Sequence, residues 1–402
     1  MTTRTSAREA GRSADLGGEW LGIARRVRRT FSLDEIALAP ATATLDPDDV
    51  DLSWRVGPHT FRLPFVASAM DSVVDVRLAG IMSALGGMAV LNLDGLQTRY
   101  ADPGAPLGDI ASAPADEVIA LLQRLYRVPI DESLIGARVR AIKAAGATCC
   151  VSMTPATAER FAPIAEEAGA DILLIQSTVV TEQHRSTKGR TVSVRALAAR
   201  ARIPVMAGNC VGYDAAMGLF GAGIAALFVG VGPGAACTSR RVLGIGVPQA
   251  TAICDVAAAR DDYERESGRY VPIIADGGIA VGGDVAKAIA CGADAVMLGS
   301  ALAKAEEAPG HGFHWGMATP HGALPRGTRI RVGTTGTLQQ ILLGPAAVDD
   351  GSHNLADALR TAMGVCGAAT IREMHEVEVV IAPTLASEGK AAQFSQKVGQ
   401  GR

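Results

Sequence analysis

Aromatic residues make up only 4% of the 402-residue chain, so its interior has to be built from the aliphatic side chains within its 48% of hydrophobic residues. That supply suits a parallel α/β core, whose strands are buried on both faces, better than a sandwich. Long apolar runs are missing as well. None approaches the ~18 residues that a bilayer-spanning helix needs, so no membrane partner is expected. Charge of one sign is also scarce: a formal net charge of −3 offers no basic field for nucleic acid. Cys-x-x-Cys pairs are absent among the seven cysteines, which argues against a zinc knuckle. Their odd number and irregular spacing fit a reducing, cytoplasmic compartment. An apolar signal-peptide core is lacking near the start, so residues 1–18 read as a disordered tail. Residues 19–384 read as one domain and 385–402 as a C-terminal tail.

Against these absences stand 46 glycines and a repeating pattern. Eight short apolar runs, most closed by small residues, recur along the chain: Phe65–Ser68, Gly87–Leu91, Thr148–Met153, Ile172–Ser177, Val205–Asn209, Ala226–Val231, Ile273–Gly278 and Ala295–Ser300. Between them lie helix-like segments at 75–85, 157–168, 192–201, 213–222 and 283–290. Strands alternating with helices make βαβ units, and eight of them predict an α/β fold of the (β/α)8 TIM-barrel type. An open doubly wound sheet is the alternative, but no G-x-G-x-x-G opens a helix after the first run. Two spacings are long. The gap after the second run begins with a Pro/Gly-rich piece at 102–108 and then offers helices at 115–126 and 131–145. A long loop is expected from Pro309 to about Asn354, and in a barrel such a loop after a strand borders the catalytic face.

Three segments carry chemistry. Ile274-Ala-Asp-Gly-Gly278 closes the seventh run and Met297-Leu-Gly-Ser300 the eighth. In barrels these two loops often bind phosphate through backbone N–H groups, with Gly278 and Gly299 allowing close approach and Ser300 adding a hydroxyl. Asp276 at a strand end is suited to accept two hydrogen bonds from a ribose diol. Capping the next helix is its alternative use. The third segment is Gly230-Val-Gly-Pro-Gly-Ala-Ala-Cys-Thr-Ser-Arg240 after the sixth run. Cys237 on that irregular loop, with Thr238 beside it and Arg240 close by, is the candidate nucleophile. The other six cysteines read as packing. His311, His314 and His321 cluster late in the chain without an accompanying carboxylate, so no metal is assigned to them. Arg326, Arg329 and Arg331 form a basic group suited to a cofactor phosphate or to solvent.

Taken in order, these segments resemble the IMP dehydrogenase/GMP reductase family. The Cys237 loop is similar to its active-site loop. Phe31–Pro40, Ser68-Ala-Met-Asp71, Met206-Ala-Gly-Asn209, Ala275–Gly278, Met297–Ser300, His314-Trp-Gly-Met317 and Leu359–Gly364 match further segments in the same order. The resemblance spans about residues 30 to 375. It implies a purine mononucleotide substrate, GMP or IMP, attacked at carbon 2 by the Cys237 thiolate, with NADPH or NAD as the hydride partner. Thr238 would position water or ammonia. Ser68, Met70, Asn209, Gly234, Asp276, Gly278, Gly299, Ser300, Gly316 and Met317 would contact the nucleotide. Gln176, Ser177, Gly230 and Gly232 would face the nicotinamide. A homotetramer and a monovalent cation are also implied, and Lys390 is a candidate to stand in for that cation.

Departures from the family pattern bear on direction. The ~45 residues in the gap after the second run are too few for paired CBS modules. No Tyr follows Tyr270, so the Arg–Tyr pair with which IMP dehydrogenases activate water has no counterpart, leaving His314 or His321 as substitute bases. This favours GMP reduction, which needs no such hydrolysis; IMP oxidation with a substitute base, and a non-catalytic nucleotide-binding role, are the alternatives. Leu93, Gln176, Ala235 and Arg326 occupy positions where the family carries Lys, Asp, Ser and Glu.

Overall fold

The computed structural model describes residues 18–23, 25–184, 193–316, 328–384, 387–396 and 398–399. Met317, His321 and Arg326 lie outside them. The chain forms a (β/α)8 TIM barrel. Its strands are β1 (Phe65–Ala67), β2 (Met88–Asn92), β3 (Cys150–Met153), β4 (Ile172–Gln176), β5 (Val205–Cys210), β6 (Ala226–Val229), β7 (Ile273–Asp276) and β8 (Ala295–Leu298). All neighbours are parallel, and β8 closes on β1 with Val296 opposite Phe65 and Leu298 opposite Ala67. Each strand lies within, or within one residue of, an apolar run read from the sequence.

Period-two alternation divides the apolar side chains between two cores. Val66, Val90, Cys150, Leu174, Met206, Phe228, Ile274 and Met297 pack inside the barrel. Ala67, Leu91, Val151, Ile175, Ala207, Val229, Ala275 and Leu298 pack outward against the helices. A hairpin of Trp54–Val56 and His59–Phe61 contributes Trp54 and Phe61 to the inner core, their rings stacked at 5.4 Å. The alternation also directs Gln176 and Asp276, two residues beyond Leu174 and Ile274, into the barrel mouth.

The outer helices include Val76–Leu85, Ala158–Glu167, Val194–Arg200, Tyr213–Gly221 and Gly282–Ala290, close to the expected spans. Asp75 caps the first by accepting from the Leu78 amide at 2.7 Å. The longest of the helices is Gln249–Ser267.

Two expectations are corrected. The Pro/Gly-rich piece after β2 is itself helical over Gly104–Ser112. Pro106 falls in the first turn, where a missing N–H costs nothing, and Leu107 and Ile110 are buried. The stretch from Pro309 to Asn354 is not one loop. It contains an antiparallel pair, Phe313–Trp315 with Arg329–Arg331, and a helix at Leu338–Leu343. No helix among the described residues is long and apolar enough to cross a membrane.

Candidate active site

Residues from the C-terminal ends of four strands converge at the mouth. Asp276, the last residue of β7, accepts from Asn209 Nδ2 at 2.7 Å and from Gln176 Nε2 at 3.2 Å. Gln176 Nε2 also reaches Asn209 Oδ1 at 3.0 Å, and Asn209 Nδ2 reaches the Gly230 carbonyl at 2.8 Å. The ends of β4, β5, β6 and β7 are thus joined by one amide–carboxylate network. Burial raises the Asp276 carboxyl to about 6, with the Asn209 bond working against the rise. Asp276 does not cap the following helix; Asp284 occupies that role, accepting from the Ala280 and Val281 amides. Ser177 extends the network through backbone bonds, its amide donating to the Gly208 carbonyl at 2.9 Å and its carbonyl accepting from Asn209 at 3.0 Å.

The Cys237 loop packs on the turn after β7. A Cβ on Gly277 would lie 3.0 Å from the Gly234 nitrogen, and one on Gly278 would lie 3.2 Å from Pro233 Cβ. Gly230, at φ +145°, lets the loop pass the end of β7, where a Cβ would meet the Asp276 carbonyl at 2.2 Å. Gly232 and Gly246 leave room for Arg240, whose guanidinium donates to the Val247 carbonyl at 3.0 Å. Arg240 therefore braces the loop. Cys237 itself is exposed, with its thiol 3.4 Å from Ser239 Oγ. Thr238 is half-buried and precedes the short helix Ser239–Leu243. Burial pushes the Cys149 and Cys210 thiols up to about 12, which suits packing. Cys254 departs from the packing expectation: it is exposed on helix Gln249–Ser267.

Across the mouth, Ser68, Met70, Gly299 and Ser300 form a second group. The Ser68 amide donates to the Leu298 carbonyl at 3.0 Å, and a Cβ on Gly299 would lie 3.2 Å from Met70 Sδ and 3.8 Å from Ser68 Cβ. Ser300 Oγ is 3.1 Å from His314 Nε2. Burial lowers the His314 imidazole to about 4. His314 is therefore neutral at ordinary pH and tied to the Ser300 side. Gly316 follows Trp315, half-buried.

Several contributors escaped sequence reasoning. Gln249 is buried and donates to the Val229 carbonyl at 2.9 Å and the Asp276 carbonyl at 3.3 Å, fixing β6 against β7. Nothing in its local pattern marks it. Asp71 belongs to the Ser68–Asp71 motif, yet its partners Leu96 and Tyr126 come from the segment between β2 and β3. Arg329 stacks on Phe313 at 4.7 Å and donates to the Ile110 carbonyl. Among the described residues no group of three His, Cys, Asp or Glu side chains is placed to hold a metal.

The structure is a parallel barrel with an exposed thiol on a glycine-rich loop that packs on the turn after a buried carboxylate at the strand C-termini, the end at which barrel enzymes carry their active sites. The chain belongs to the IMP dehydrogenase/GMP reductase family, whose domain model matches residues 30–319. It is 38% identical to an uncharacterized oxidoreductase of Mycolicibacterium smegmatis over 370 residues, covering 90% of this chain and 99% of the relative. It is 28% identical to the inosine-5'-monophosphate dehydrogenase of Thermoplasma acidophilum, covering 87% and 91%. Among solved structures it is similar to an IMP dehydrogenase/GMP reductase-like protein from Corynebacterium glutamicum, with a TM-score of 0.86, 36% identity and coverage of 90% and 97%. The chain is therefore an oxidoreductase of this family.

Proposed function

We propose that this enzyme reduces GMP to IMP and ammonia through a covalent bond between Cys237 Sγ and carbon 2 of the base. The observation that carries the reading is the seating of the exposed Cys237 on a loop packed against the Asp276–Gly278 turn. A nucleotide whose ribose diol binds Asp276 brings its base over that loop. Its phosphate would extend toward the backbone amides around Gly278, Gly299 and Ser300.

The Cys237 thiolate adds to carbon 2, and the amino group takes up protons and leaves as ammonia, with Thr238 beside it. Replacement of sulfur by hydride then gives IMP and returns the thiolate. The Gln176 side chain, the Ser177 hydroxyl and the loop at Gly230 and Gly232 would face the carboxamide and ribose of a nicotinamide, which when bound supplies that hydride. NADPH is the form proposed. Asn209 and Gln176 hold Asp276 in place and leave Cys237 free to react.

The sequence after Tyr270 favours the reductive direction. The oxidative reaction needs a base to activate water, and no Tyr follows Tyr270. His314, a candidate substitute, is buried, held by Ser300 and neutral down to about 4. The second reading, IMP oxidation with NAD, draws on the name of the Thermoplasma acidophilum relative. By family resemblance the enzyme is also proposed to be a cytoplasmic homotetramer. Lys390 would stand in for a monovalent cation, which potassium-independent turnover would support.

The test is absorbance at the reduced-nicotinamide band with purified protein and GMP plus NADPH, or IMP plus NAD. Loss of the band with GMP supports the proposal, gain with IMP supports the second reading, and silence in both with nucleotide bound would overturn both.

A further inference from the structure

We propose that the helical segment between β2 and β3 is a clamp on the hairpin formed by the strands Phe313–Trp315 and Arg329–Arg331, with Tyr126 as its positioning residue. Three buried groups from distant parts of the chain meet at its phenol. Tyr126 donates to Asp71 Oδ2 at 2.6 Å and accepts from Trp315 Nε1 at 2.9 Å. Asp71 closes the Ser68–Asp71 turn that would contact the nucleotide. Trp315 ends the strand Phe313–Trp315 and immediately precedes Gly316, the proposed base contact. One hydroxyl therefore bridges the two sides that would hold the purine.

The surroundings make this bridge specific. Asp71 and Trp315 have no exposed surface, and Tyr126 is 7% exposed. Asp71 Oδ2 takes a second bond from the same segment, the Leu96 amide at 2.9 Å. A Cβ on Gly95 would lie 2.1 Å from Asp71 Oδ1, so the chain there must be bare. Leu96, Leu107, Ile110, Val118 and Leu122 form an apolar cluster with Trp315 that is separate from both barrel cores. The opposite strand of the hairpin is held too: Arg329 stacks on Phe313 and donates to the Ile110 carbonyl. The Gly310 amide, before the hairpin, donates to the Ser72 carbonyl at 3.0 Å. Both strands of the hairpin are thus referenced to the inserted helices and to the turn after β1. The phenol hydroxyl bonds directly to Asp71 on the one side and to Trp315 on the other.

The catalytic consequence rests on the function proposed above, but the clamp itself does not. Tyr126→Phe keeps the ring in the apolar cluster and removes only the bridge. The first arm is hydrogen exchange of backbone amides in the full-length, ligand-free protein. Amides at 313–316 and 328–331 are expected to exchange about five- to tenfold faster, with the barrel strands unchanged. Unchanged hairpin amides, or a uniform increase through the barrel, would overturn the clamp. Trp315→Phe removes the donor from the other side and is expected to give the same local increase, with the double variant no faster than either single one. If Tyr126→Phe fails to fold, Trp315→Phe alone carries this arm.

The second arm is steady-state kinetics. Misplacement of the base contact is expected to lower kcat at least about tenfold while the nucleotide KM moves less than about threefold. Parental kcat and KM in the presence of faster hairpin exchange would reduce Tyr126 to a structural residue and overturn its positioning role. Should the parent turn over neither nucleotide, the function proposal fails, and the exchange arm still decides the clamp.

Discussion

Replacing Asp276 by Asn separates the cost of burying this carboxylate from its use. The carboxyl sits at the end of β7, with Asn209 and Gln176 amides as its donors, and burial raises it from 3.8 to about 6. A difference of about 2 pH units is worth at most ~3 kcal/mol between the neutral and charged forms. Because the folded state holds the proton more tightly, this stabilising contribution is fully present below about pH 3.8 and lost as pH rises through about 6. Asn keeps an acceptor for both amides and carries no charge. Asp276→Asn should therefore match the parent near pH 4, to within ~0.5 kcal/mol, and exceed it by ~2–3 kcal/mol above about pH 7. For a chain of this length that is a rise of roughly 3 °C in Tm. The same change removes a charged acceptor from the proposed ribose contact, so affinity for IMP or GMP should drop by about one to two orders of magnitude. The assay is thermal denaturation of ligand-free protein at the two pH values, with calorimetric titration of nucleotide. A variant that is no more stable near pH 7, or a stability gap independent of pH, would refute the argument.

Gly230→Ala should lower stability by ~1–3 kcal/mol and disturb turnover, because the new Cβ meets the Asp276 carbonyl at 2.2 Å and φ is +145°; denaturant melts and kinetics check both. Asp294 accepts from the Ile273 amide at 2.8 Å and from buried Arg260 at 3.3 Å, and it also bonds Tyr270. Asp294→Ala should cost ~2–3 kcal/mol, since it removes the partner of the buried Ile273 amide and one of the two carboxylates that pair Arg260, which keeps Asp261 and the Gly292 carbonyl, and chemical denaturation will show it. The His314 imidazole is lowered from 6.5 to about 4 by burial, so its contribution is present above about pH 6.5 and lost as pH falls through about 4. His314→Gln should flatten the loss of stability across that window in a pH series of melts.

The barrel was legible because its code is local. Each strand is a short apolar run ending in small residues, and alternation assigns every second side chain to one core. Residues at strand ends were legible for the same reason: knowing that Leu174 and Ile274 face inward places Gln176 and Asp276 at the mouth. Packing between distant segments was not legible. The partners of Trp315 come from a segment nearly two hundred positions away, and no periodicity links Tyr126 to it. Arg329 looked like a free cation because its stacking on Phe313 and its bond to Ile110 are tertiary. Gln249 opens a long helix whose polar first residue gives no hint that it bridges β6 and β7. The helix at Gly104–Ser112 was obscured by Pro and Gly, which read as breakers until their place in the first turn is known.

On the mechanism proposed here Cys237 forms a covalent bond to the purine. The direct measurement is acid quenching of the full-length enzyme during turnover with GMP and NADPH, followed by mass spectrometry of its peptides. A purine-nucleotide adduct is expected on the Cys237 peptide alone and is absent in Cys237→Ala, which should still bind nucleotide but not turn it over. Turnover that survives Cys237→Ala, or an adduct on another cysteine such as Cys254, would contradict it.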